Sequence, residues 1–91
     1  MGAMALIGAS LFYASLAELG AVFFYERLLD TAITMLKEVT VLEPNNIKSF
    51  YLLGEVYDKK GLPDEAKKAW EKVISIAPDS TEAKQAQTKL G

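Results

Sequence analysis

A chain of 91 residues makes one small domain with a marginal core, because so short a chain buries only about two thirds of the surface it exposes when unfolded. The formal net charge is -2, with 10 Lys and Arg against 12 acids, which offers no basic field for a phosphate backbone and excludes nucleic acid as a partner. Neither Cys nor His occurs, so disulfides, thiolate or imidazole metal ligation, cysteine nucleophiles and the usual general base are all removed; no catalytic residue, metal or cofactor is expected.

Charge is spread unevenly. Residues 1–36 carry only Glu18, Glu26, Arg27 and Asp30, whereas residues 37–91 carry nine Lys and nine acids. Leu11 to Leu28 is dominated by apolar side chains, with Phe12, Leu16, Leu19 and Phe23 at spacings of three and four, and predicts a helix buried on several sides. Arg27 to Asp30 interrupts that run, and Asp30 reads as the N-cap of a second helix carrying Ala32, Ile33, Leu36 and Val39 and ending near Glu43-Pro44. Asn45-Asn46 supplies a turn and the next N-cap.

A third helix is predicted over Ile47 to Lys59, with Phe50, Leu53, Gly54 and Tyr57 on one face and Lys48, Glu55, Asp58 and Lys59 elsewhere. Gly61 suits a left-handed C-cap, Pro63 suits a first helical position, and Asp64 and Glu65 fall at the positive end of a fourth helix that runs to about Ala77. Pro78-Asp79-Ser80 repeats the turn, and Asp79-x-x-Glu82 has capping-box spacing. A last helix, Thr81 to Leu90, has a thin apolar stripe of Ala83, Ala86 and Leu90 and is otherwise polar, as a terminal cap should be.

Two of these segments are copies. Leu16-x2-Leu19-Gly20-x2-Phe23, then Ala32-x3-Leu36 and Pro44, recurs 34 residues later as Phe50-x2-Leu53-Gly54-x2-Tyr57, then Ala66-x3-Trp70 and Pro78. A period of this length marks a repeat whose single unit cannot bury its own apolar face and must stack on a neighbour. The residues resemble the tetratricopeptide repeat, whose pattern is W-x2-L-G-x2-Y, then A-x3-F, then P. The resemblance implies an all-α, right-handed helix-turn-helix solenoid with units at 13–46 and 47–80, a capping helix at 81–91 and an apolar extension at 1–12, in which Met1-Gly2-Ala3 reads in part as a remnant of expression cloning. Gly54, Tyr57, Ala66 and Trp70 are then packing residues, not a site.

In the resembled family, ligands lie along a concave surface lined by the first helix of each unit. Carried over, that surface presents Ala14, Ala17, Ala21, Phe24 and Tyr25 from the first unit, and Lys48, Tyr51, Glu55, Asp58 and Lys59 from the second. Such a groove suits a protein or peptide partner held by apolar anchors, with Lys48 and Lys59 near its acidic groups; alternatively, Phe24 and Tyr25 pack against residues 1–12. Relatives that clamp a chaperone's C-terminal carboxylate use Lys, Asn and Arg, where this chain has Ala17, Ala21, Leu52, Glu82 and Ala86, so that specialisation is disfavoured. The carboxylate pairs Glu55 with Asp58 and Asp64 with Glu65 fall on solvated faces and helix starts, which argues against an enzyme.

The N-terminal end is oily where the C-terminal end is polar. Residues 1–12 have no charged side chain, and two units with a cap fall short of the three that repeat stability usually needs. A homo-oligomer formed through Leu6, Leu11, Phe12, Leu16 and Phe23 would cover this end. The alternatives are a fragment whose preceding repeats or neighbouring subunit cover it, an extension folded into its own groove, and a membrane anchor over residues 4–25. The last is disfavoured because Glu18 would lie within the bilayer. A non-enzymatic, cytoplasmic interaction module is the expectation.

Overall fold

The computed structural model describes residues 25–91, which are helical apart from the turns between helices and contain no strand. Helix α1 occupies residues 25–42, α2 Ile47–Lys60, α3 Pro63–Ile76 and α4 Thr81–Leu90. Packing is sequential: α2 lies against α3, α3 against α4, and α2 also touches α4.

Short-range chemistry sets each boundary. Asn46 caps α2 by accepting a 3.1 Å hydrogen bond from the Ser49 N–H, while its own amide donates to Glu43. At the other end Gly61 takes φ 84°, its N–H reaches the Asp58 carbonyl at 3.1 Å, and the Leu62 N–H reaches Tyr57 at 2.9 Å. This pair of bonds is a Schellman motif, which satisfies two of the carbonyls left over at a helix end. Pro63 then opens α3 with Asp64 and Glu65 in its first turn. Ser80, not Asp79, caps α4: its Oγ accepts from the Ala83 N–H at 3.0 Å and donates to the Ala77 carbonyl at 2.7 Å. The N-cap therefore falls one residue beyond Asp79, and with Ala83 at the third helical position the expected capping box does not form.

The core lies where α2, α3 and α4 converge. Leu53 and Tyr57 of α2, Ala66, Ala69 and Trp70 of α3, and Ala86 of α4 are buried together, with Ile33 and Leu36 of α1 packed on the same cluster. Gly54 is the contact point between α2 and α3. A Cβ built on it would stand 2.2 Å from Trp70 Nε1 and 2.4 Å from Cδ1, so the indole occupies the space that any side chain at 54 would need.

A second sequence expectation fails. Helix α1 runs without a break through Arg27, Leu28, Leu29 and Asp30, so Asp30 is not an N-cap and no turn separates a first from a second helix there. The reason emerges when the two units are aligned. At a displacement of 34, the turn residues Gly61, Leu62 and Pro63 correspond to Arg27, Leu28 and Leu29. Neither the left-handed glycine nor the helix-starting proline has a counterpart, and Arg and Leu are good helix formers. Asp30 instead faces α2: Lys60 bridges its carboxylate and that of Glu26, the latter at 3.6 Å. The hydrogen bond to Asp30, backed by both acidic charges, raises the Lys60 ammonium above the usual lysine range against a smaller opposing effect of desolvation. With buried Leu29 and the packed Ile33 and Leu36, this pair of ion contacts fixes α1 onto α2.

Candidate functional site

The surface expected to bind a partner is built by α2 and closed on one side by α4. Lys48, Tyr51, Glu55, Asp58 and Lys59 recur along α2 at helical spacing; Lys48, Asp58 and Lys59 are exposed, Tyr51 and Glu55 half-buried. Tyr51 packs against the edge of the core. Desolvation, then the adjacent Glu55 and the more distant Glu82, raise its phenol above the usual tyrosine range, so it stays a neutral hydrogen-bond donor at ordinary pH.

Glu55 is not free to serve a ligand alone, because Lys89 of α4 stands 3.6 Å from its carboxylate. The same ammonium lies 5.5 Å from the centroid of the Trp70 ring, within cation-π range. Lys89 thus ties the cap helix to both α2 and α3. Its importance was accessible from the repeat: Glu55 and Lys89 are separated by the 34-residue period, so they occupy equivalent positions on successive helices that line the same surface. Leu52 is a further residue of α2 that remains partly open to solvent, 44% exposed.

Of the first unit's expected groove residues, only Tyr25 is described, at 48% exposure. Ala14, Ala17, Ala21 and Phe24 lie outside the described residues, as do Leu6, Leu11, Phe12, Leu16 and Phe23, expected to mediate self-association. What the structure adds is the outer face of α1. Leu28, Met35 and Leu42 recur at intervals of seven and are 51%, 62% and 80% exposed, with Val41 beside the last. A groove of about 300 Å³ lies between α1, α2 and α3, where Phe50, Leu53 and Tyr57 meet Lys37, Lys68 and Lys72.

Asp64 and Glu65 are exposed at the start of α3, where the helix dipole favours them, and Glu65 pairs with Lys68 at 3.7 Å. Among the described residues no group of three acidic side chains is arranged to hold a metal ion, and no helix is long and apolar enough to cross a membrane.

Helices stacked in sequence, with Gly54 at the crossing of α2 and α3 and a polar closing helix, define a helical repeat protein. The tetratricopeptide repeat family model matches residues 24–90, and the chain belongs to that family. No curated protein matches the chain significantly.

Proposed function

We propose that this protein-interaction module is non-enzymatic, that it associates with itself through the apolar segment preceding and including the start of α1, and that it offers the α2–α4 surface to a peptide or protein. The observation that carries the self-association reading is the contrast between helices α4 and α1. The C-terminal end is finished by α4, whose buried Ala83 and Ala86 face inward and whose remaining side chains are mostly polar. Helix α1 instead presents the exposed row Leu28, Met35, Val41 and Leu42 along its length. An apolar strip along a helix of a small domain marks an interaction surface. The preceding 24 residues, whose one charge is Glu18, match it in character.

The unit boundaries 13–46 and 47–80 belong to this proposal, as does the groove formed by Tyr51, Lys48 and Lys59 with Tyr25 at its margin. In the alternative reading the chain is a piece of a larger repeat array, and a preceding repeat takes the place of the second copy. Sedimentation equilibrium of the full chain over a wide concentration range tests the choice. Reversible self-association, lost in the presence of mild detergent, is the expected result; a single species of 10.0 kDa at every concentration would rule self-association out.

A further inference from the structure

The groove between α1, α2 and α3 lies on a different face of α2 from Tyr51. Phe50, Leu53 and Tyr57 form its floor, with Lys37 and Thr40 of α1 on one side and Lys68 and Lys72 of α3 on the other. It stays open because the α3 residue beside the floor is Ala69; one period earlier the same position holds Met35, whose longer side chain would fill such a space. Leu53 and Tyr57 are buried beneath, while Phe50 is only half-buried and leaves aromatic surface within reach of a ligand. At about 300 Å³ the groove is at the lower end of the size range of small-molecule sites, so it holds one or two anchoring side chains and not a large ligand.

Its rim is positive although the chain is not. Three ammonium groups, those of Lys37, Lys68 and Lys72, stand against one carboxylate, Glu65, whereas the whole chain carries a net charge of -2. Lys68 meets Glu65 at 3.7 Å, but both side chains are exposed, and such a pair is worth about 1 kcal/mol or less and exchanges readily for another carboxylate. Lys37 and Lys72 make no ion pair among the described residues. Thr40 donates its hydroxyl hydrogen to the Lys37 carbonyl at 2.7 Å, which leaves the ammonium groups as the donors of the rim. The repeat does not demand these charges. One period away, Lys37 is matched by Glu71, Lys68 by Thr34 and Lys72 by Glu38, so the basic character belongs to this junction and not to the packing pattern.

We propose that this groove is a second docking site, taking an acidic peptide segment that seats one apolar side chain against Phe50 and places its carboxylates among Lys37, Lys68 and Lys72. Lys68 and Lys72 stand one turn apart on α3, about 6 Å along its axis. Lys37 lines the groove from α1, so acids on both sides of the anchor find a partner. The charges flank apolar atoms that are recessed between two helices. A bilayer surface is met by the reverse arrangement, an apolar face that projects from among basic residues. The site is separate from the α2–α4 surface and does not depend on self-association.

The probe is a synthetic peptide with one phenylalanine between runs of Asp and Glu, titrated into the isotopically labelled full chain. Amide shifts are expected at Lys37, Thr40, Phe50, Lys68 and Lys72, with affinity falling as salt rises. Lys37→Glu combined with Lys72→Glu should weaken binding by about tenfold or more and leave helicity unchanged, since both sites are exposed. Lys67→Glu combined with Lys84→Glu alters the net charge equally at exposed positions outside the groove and should weaken it far less. Replacing the peptide's phenylalanine by alanine should also weaken it. Shifts confined to Tyr51 and Lys59, no measurable binding, or a loss no greater than that of the Lys67 and Lys84 control would overturn the proposal. So would association with vesicles of phosphatidylserine and phosphatidylcholine that needs Lys37 and Lys72 while the peptide leaves the groove empty.

Discussion

At the scale of single residues, Gly54 has the least freedom. A helix interior ordinarily favours Ala over Gly by about 1 kcal/mol, so a glycine in the middle of α2 needs a reason, and the reason is the Trp70 indole, which fills the space a Cβ at position 54 would take. Trp70 bears a cost of its own, since its Nε1–H is buried with no hydrogen-bond partner among the described residues. Its gain is packing against Gly54 together with the overlying charge of Lys89. Gly54→Ala should therefore destabilise the fold by about 1–3 kcal/mol, the usual penalty of overpacking, despite the better helix propensity of alanine. Urea denaturation monitored by helicity measures it, and a midpoint equal to or above that of the parent would show that the indole moves aside freely. The pairing of small and large residues at these positions was legible in the sequence, because both copies of the motif carry it. The unpaired indole N–H was not, since nothing in the spacing says which way the ring is turned.

At the scale of elements, the turns decided what could be read. The α2–α3 turn was legible because Gly61 and Pro63 each have one conformational use there, a left-handed φ and a helix start. The boundary expected at Asp30 was misread for the converse reason. Asp is a good N-cap, but a cap needs the preceding residues to leave the helix, and Arg27, Leu28 and Leu29 gain more by staying in it. The Asp30 side chain, expected to be a cap, is an ion partner of Lys60. The surface formed by α2 and α4 was half legible: the α2 row followed from helical spacing, whereas the tie from Glu55 to Lys89 required extending the period into the cap helix. Peptides selected from a display library on the full chain should contact this surface through Tyr51. Tyr51→Ala is then expected to weaken the selected peptides by about a kcal/mol or more, measured by calorimetric titration. Unchanged affinity would remove the α2 groove from the proposal.

At the scale of the whole molecule, the two repeat copies are alike in their packing residues and unlike in their turns. The period in the sequence established the family and the all-α architecture. It did not show that the second unit turns at residues 61–63 while α1 runs unbroken through residues 27–30, because that difference lies at positions outside the signature, Arg27 to Leu29 against Gly61 to Pro63. The whole account thus depends on α1 passing unbroken through residues 27–30. Residue-resolved amide hydrogen exchange tests this directly. The amides of Leu28 to Thr31 should be protected as strongly as those in the middle of α1, while Asp64 and Glu65, whose N–H groups begin a helix after a genuine turn, should exchange quickly. Exchange at Leu28 to Thr31 as fast as at Asp64 and Glu65 would place a turn in the first unit and contradict the account.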